Sequence, residues 1–306
     1  EFDAFNQSVT ALFDGWRAAH VRKLKDLGPG HHPRELISEL SESLLSVFRG
    51  TPLIDPYDVY QHLMTYWAET MQDDVYLIVS NGWREAARLR LMVDVKVGKD
   101  KEKPDITVGK QKYKADLVPP ALIIARYFPD AQAAIDELET RRVAIAQQMD
   151  ELRDEQGGEE GLLSSVIDDG KITKGDLTAR LREIRGDAEF DDERAVLERY
   201  LGLMDEDSAT AREIRDKRAE LDAQLAGKYA SLTEDEVKTL VADEKWMGAL
   251  AADVQSELHR VSQTLTARIL ELAERYKSTL PELVHEVEAL ASSVDEHLRR
   301  MGAVWS

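Results

Sequence analysis

The sequence predicts a mainly α fold: long amphipathic helices in a bundle or coiled-coil-like arrangement, with a small β-hairpin element near residues 93–118. Three observations carry that expectation. Beyond residue 120, apolar residues recur by three and four over stretches too long for strands. Nine prolines and seventeen glycines are few helix breakers for 306 residues. Charged residues make up 32 % of the chain, above the usual quarter, as long exposed helices require. The same change of pattern divides the chain into a mixed region, residues 1–120, and a long-helix region, residues 121–306.

Val9, Leu12, Phe13 and Trp16 stand at helical spacing, and Gly28-Pro29-Gly30-His31-His32-Pro33 is a loop. Leu36, Ile37, Leu40, Leu44 and Val47 resume the helical period until Gly50-Thr51-Pro52. Tyr57, Tyr60, Tyr66, Trp67, Tyr76 and Trp83 form an aromatic region in which Tyr57–Met71 reads as helix and Val75–Val79 as a short strand. Trp83–Leu91 reads as helical or extended. Ile106, Val108 and Tyr113 around Gly109 indicate the hairpin, and Pro119-Pro120 closes it.

The first long seam runs Ile135, Leu138, Arg142, Ile145, Met149 and Leu152, broken at Gly157-Gly158. A second runs Leu197, Tyr200, Met204, Asp207, Ala211, Ile214, Arg218, Leu221 and Leu225. A third helix starts near Trp246 and carries Leu250, Val254, Leu258, Val261, Leu265, Ile269, Leu272 and Tyr276. Thr279, Pro281 and Glu282 form a capping box that restarts a helix with the seam Leu280, Leu283, Val287, Leu290, Val294, His297 and Met301. Such seams must bury against a helix of the same chain or of another. Arg142, Asp207 and Arg218 interrupt them, either wetting an imperfect intramolecular bundle or setting register or partner choice. Shorter helices are expected over Ile172–Ile184 and after the Thr233/Glu236 cap.

Composition excludes several functions. With 59 acidic against 40 basic residues the net charge is −19, the wrong sign for a stand-alone nucleic-acid binder or a partner of anionic membranes. No cysteine means no disulfide, thiolate metal site or cysteine nucleophile. No apolar run approaches the roughly 18 residues that span a bilayer, so the expected compartment is the cytoplasm. The opening Glu1-Phe2, with no Met, reads as a segment of a longer protein.

Chemical motifs fail on spacing. Around Ser165-Val166-Ile167-Asp168-Asp169-Gly170-Lys171-Ile172, a calcium loop would need an oxygen ligand where Ile167 stands, so a turn is expected there. Gly109-Lys110 lacks the earlier glycine of a phosphate loop, and His285-Glu286 has Ala289 where a zinc protease needs its second histidine. His31-His32 is a poor metal pair, and His62 reads as a partly buried structural histidine. No catalytic, cofactor-binding or metal-ligating residue is assigned. Residues 96–114 carry a net +4, and Lys110, Lys112 and Lys114 alternate along one strand, pointing the same way. With Lys103 they are candidate phosphate contacts, against the plainer reading of a lysine-protected hairpin edge. Leu280, Leu283, Val287, Leu290, Val294 and Met301 are the candidate partner interface.

Two long stretches carry a resemblance. Tyr57-Asp58-Val59-Tyr60-Gln61-His62-Leu63-Met64-Thr65-Tyr66-Trp67-Ala68-Glu69-Thr70-Met71-Gln72-Asp73-Asp74 is one, and Pro104-Asp105-Ile106-Thr107-Val108-Gly109-Lys110-Gln111-Lys112-Tyr113-Lys114-Ala115-Asp116-Leu117-Val118-Pro119-Pro120 the other. They, and the tail Met301-Gly302-Ala303-Val304-Trp305, resemble the C-terminal portion of the modification (methyltransferase) subunit of type I restriction-modification systems. The resemblance covers nearly the whole chain. It implies an S-adenosylmethionine-dependent N6-adenine DNA methyltransferase. Its modification subunits join a specificity subunit that reads DNA, and restriction subunits can add to the complex. The target-amino-group turn Asn/Asp/Ser-Pro-Pro-aromatic is absent, since Pro119-Pro120 follows Val118 and precedes Ala121. The family's cofactor loop and that turn lie upstream of this region, so no catalytic residue is carried over and no cofactor is assigned to this chain. The expected role is assembly: helical seams, chiefly Leu280–Met301 and Leu197–Leu225, buried against the specificity subunit, helping to hold the complex on DNA. The alternative is a self-contained helical adaptor without enzymatic activity.

Overall fold

The computed structural model describes residues 2–92, 103–168, 170–277 and 279–302, and they are mainly α-helical. In chain order the elements are α1 (Phe2–Lys25), α2 (Pro33–Phe48), α3 (Pro56–Tyr66), a π-turn (Trp67–Met71), α4 (Gln72–Asn81), α5 (Trp83–Ala86), β1 (Arg90–Leu91), β2 (Ile106–Val108) and β3 (Gln111–Lys114). There follow α6 (Pro120–Tyr127), α7 (Pro129–Gln156), β4 (Ile167–Asp168), β5 (Lys171–Ile172), α8 (Lys174–Glu183), α9 (Asp191–Ser231), α10 (Glu234–Lys238), a second π-turn (Thr239–Trp246), α11 (Met247–Arg275) and α12 (Leu280–Arg300). Lys96, Lys99 and Lys101 of the lysine-rich stretch, Asp169 of the calcium-like loop and Ala303-Val304-Trp305 of the tail lie outside the described residues.

Two compact units draw on both sides of residue 120. One comprises Glu1–Leu24, His32–Gln72 and Met247–Ser306, the other Lys25–His31 and Asp73–Trp246.

In the first unit the core is a seam-to-seam packing of four helices. Val9, Phe13, Trp16 and Leu24 of α1, Leu36, Leu40, Leu44 and Phe48 of α2, and Val59 and Leu63 of α3 are buried with Leu250, Val254, Leu258 and Val261 of α11. Successive members of each set stand three, four or eight residues apart, so one stripe of each helix turns inward. Polar contacts fix the arrangement: Trp16 Nε1 donates to Ser43 Oγ at 2.8 Å, and Gln255 Nε2 to Thr10 Oγ1 at 3.0 Å. Pro33 opens α2 at a position whose N–H would have no partner in any case. Asp55 caps α3 by accepting the Tyr57 N–H at 2.9 Å.

The second unit is built on the antiparallel pair α7 and α9. Ile135, Ile145 and Leu152 of α7 and Leu197, Tyr200, Ile214, Leu221 and Leu225 of α9 are all buried. The seam Leu197–Leu225 is therefore closed within the chain, which corrects the expectation that it awaits a partner. Its charged interruptions pair across the same two helices: Arg142 Nε reaches Asp207 at 2.8 Å, Arg141 reaches Glu206 at 2.7 Å, and Arg218 meets Glu139. They are half-exposed rim pairs that favour one register while adding little stability. At one end Leu163, Val166, Leu177 and Ile184 pack with Ile145, Leu152, Leu197 and Tyr200, closed by the β4–β5 hairpin, in which Ile167 faces Ile172.

The three-stranded antiparallel sheet has the order β1-β3-β2, with Val108 opposite Gln111 and Arg90 opposite Lys114. Gly109, at φ +61°, supplies the first central residue of the two-residue turn, a conformation that a side chain resists. The edge strand β2 is held to α9 where the Thr107 N–H donates to Asp222 at 3.0 Å.

Val75–Val79 is not a strand. It lies in α4, where Val75 and Ile78 are fully buried one turn apart. A short apolar run carries no period that separates a buried helix from a buried strand. Trp83–Leu91 takes both forms: Trp83–Ala86 is helical and Arg90–Leu91 extended.

Candidate docking surface

The last two helices leave apolar residues uncovered. Along α11 the inward stripe Leu250, Val254, Leu258, Val261 is buried, but its continuation changes character: Leu265 and Leu272 are half-buried, while Ile269 and Tyr276 are exposed. No residue of α12 is buried. Leu280, Leu283, Val287, Leu290, Val294 and Met301, the six positions singled out from the sequence, are between 43 and 82 % exposed. Val284, also exposed, and half-buried Leu298 widen that stripe on one flank. Sequence reading omitted these two, although they follow seam positions Leu283 and His297 by one residue and share the apolar face of a 3.6-period helix.

Local chemistry explains why this segment is helix even so. The Glu282 carboxylate accepts the Thr279 N–H at 2.7 Å in a capping box, Pro281 occupies the first turn, and Arg299 and Arg300 complement the dipole at the far end. The Glu282 carboxyl is held below its usual range, first by that backbone N–H. The opposite face carries Glu288, Asp295 and Glu296. A 21-residue helix that buries nothing is marginal in water by itself, because most helical stability comes from packing an apolar face. An exposed contiguous apolar stripe rimmed by charges is the signature of an interaction surface.

The lysines do not alternate along one strand as expected: Lys110 lies in the Gly109-Lys110 turn, only Lys112 and Lys114 stand on β3, and Lys114 is committed to other contacts. Lys114 Nζ lies 2.8 Å from Asp105 Oδ1, and its second contact is the Lys103 carbonyl at 3.5 Å. Lys103, Lys110 and Lys112 are exposed. Among the described residues no group of three or more His, Asp or Glu is arranged to hold a metal ion.

Two other constellations were invisible in the sequence. In the second unit, Asp74 is 4 % exposed and accepts from Lys245 Nζ at 2.7 Å and from Trp246 Nε1 at 2.8 Å. Lys245 Nζ also donates to the Leu117 carbonyl at 2.7 Å. Consecutive side chains of an α-helix diverge by about 100°, yet Lys245 and Trp246 reach one carboxylate from the end of the second π-turn. Burial raises the Asp74 carboxyl above its usual range, outweighing the attraction of Lys245. With Trp246 fully buried and its ring 6.0 Å from that of Trp83, the arrangement is an internal clasp. In the first unit, α3 and α11 border a groove of about 780 Å³ lined by Asp58, His62, Glu69, Asp253, Glu257 and Arg260. His62 is half-buried there. The Arg260 guanidinium bridges Glu257, 4 % exposed, and Asp58 at 2.8 Å.

Comparisons with protein-family models, with curated proteins and with solved structures find no match. Among the described residues no helix is long and apolar enough to cross a membrane.

Proposed function

We propose that this chain is the C-terminal assembly region of a type I restriction-modification methyltransferase subunit, and that α12 docks it onto the specificity subunit. The observation that supports docking is the uncovered seam Leu280–Met301 on a helix that buries none of its own residues. The family resemblance of the two stretches at 57–74 and 104–120 supports the choice of partner. Burying six Leu, Val and Met side chains releases on the order of 10 kcal/mol before the costs of association, enough for a specific complex. The acidic opposite face disfavours an anionic membrane as the occupant. Lys103, Lys110 and Lys112 would add sequence-independent phosphate contacts once the complex sits on DNA. Adenine methylation and S-adenosylmethionine binding would belong to parts of the subunit upstream of this region.

The test is association. Leu283→Asp with Leu290→Asp places two charges in the seam and should abolish co-elution with the specificity subunit, the variant's circular dichroism remaining that of the parent. Normal co-elution of the double variant rules out α12 as the interface. The adaptor reading, a bundle closed on itself, has no observation in its favour at α12.

A further inference from the structure

The α12 seam is self-complementary in one direction, and we infer that the free chain covers it by antiparallel pairing with α12 of a second copy. The inference rests on the docking reading and adds regulation to it: the self-paired state is what the specificity subunit must displace.

The register follows from the positions themselves. On α12, about 31 Å long, Leu280, Leu283, Val287, Leu290, Val294, His297 and Met301 alternate by three and four. In an antiparallel pair such positions meet in layers. Setting Leu290 against Val294 of the second copy puts Val287 against His297 and Leu283 against Met301, each layer occurring twice by symmetry. The remaining positions then agree without adjustment. On one flank Ala291 meets its own copy at the twofold axis, where a small side chain allows close approach, and Val284 meets Leu298. On the other flank Ser293 meets its copy, and Glu286 meets Arg300, twice. The long charged side chains that reach across the seam are thus of opposite sign. Parallel pairing gives no such match: Glu286 would face Ala291, and Ser293 would face Leu298. All these residues save the half-buried Leu298 are exposed, so no part of either unit must open for the pair to form. The charge pattern along the helix, acidic from Glu282 to Glu296 and basic at Arg299 and Arg300, also favours the antiparallel direction.

The experiment is sedimentation equilibrium of the intact chain from about 1 to about 200 µM, the range in which so small an interface associates. The expected result is exchange between 34.6 kDa and twice that mass. Glu286→Arg alone, and Arg300→Glu alone, should each weaken dimerisation about tenfold, because two attractive pairs become repulsive. The two together should restore it. The chain has no cysteine of its own, so Ala291→Cys should cross-link between copies with a short bis-maleimide, whereas Ala289→Cys, on the opposite face, should not. A monomer throughout the range, or a dimer indifferent to both charge reversals, overturns the inference. A monomer that still binds the specificity subunit leaves the docking reading standing. A dimer that binds no specificity subunit does the reverse.

Discussion

Replacing Asp74 with Leu removes the carboxylate that satisfies both the Lys245 ammonium and the Trp246 indole N–H. The Lys245 side chain is 12 % exposed, so its charge stays buried beside the Leu117 carbonyl. Taking away one partner of such a pair costs about 3–5 kcal/mol, of which a stranded indole N–H contributes about 1–3. At about 2–4 °C per kcal/mol for a unit of this size, the second unit should melt roughly 10 °C lower. Leu keeps the branching at Cγ but is bulkier than the carboxylate, so the double variant, which carries the same Leu, separates lost charge and hydrogen bonding from overpacking. Asp74→Leu with Lys245→Met removes the unpaired charge and should recover to within about 2 kcal/mol of the parent. The assay is urea unfolding followed by tryptophan fluorescence, since Trp83 and Trp246 lie in that unit, with circular dichroism as the second probe. An unchanged midpoint for Asp74→Leu, or a double variant as unstable as the single one, refutes the clasp.

Three further outcomes are expected. Acid should destabilise the second unit: Lys228, then the Thr233 N–H, hold the Glu236 carboxyl at about 2, and Arg180 and Arg90 depress Glu193 and Asp116. Depressed carboxyls stabilise the fold above their unfolded pKa, and Glu236's share, on the order of 2 kcal/mol, should vanish between about pH 4.5 and 2. Asp74, shifted upward, has the opposite sign and softens the loss; stability flat through that window in a pH series of urea melts contradicts these assignments. Truncating the core should be unlike truncating the docking seam. Ile145→Ala should cost about 2–4 kcal/mol, whereas Leu290→Ala should change the stability of the dilute, monomeric chain by less than about 0.5 kcal/mol; equal losses there mean that α12 is already packed. In the complex with the other subunits on DNA, Lys110→Ala with Lys112→Ala should reduce the slope of log K against log salt by about 2, and an unchanged slope removes those lysines from the interface.

The mainly α fold was legible because periodicity reports helix directly. The Thr233 and Thr279 capping boxes and Gly109 in its turn marked boundaries through backbone chemistry that needs no tertiary context. What periodicity does not report is the identity of the partner. The seams of α9 and α12 look alike in sequence, but α7 covers one and, among the described residues, nothing buries the other. Likewise α11 carries one uninterrupted stripe whose first half is core and whose second half is surface. The same blindness hid the Asp74 clasp, whose members are about 170 positions apart. Val75–Val79 failed for a different reason: five apolar-rich residues fit either period, and only burial of Val75 and Ile78 one turn apart separates them.

Hydrogen exchange of the chain, alone and with the specificity subunit, tests the docking of α12 most directly. Amides of Leu280–Arg300 should exchange fast in the dilute, monomeric chain and become protected in the complex, while those of Ile135–Leu152, already buried against α9, should not change. Protection that appears elsewhere and leaves Leu280–Arg300 as fast as before contradicts that docking.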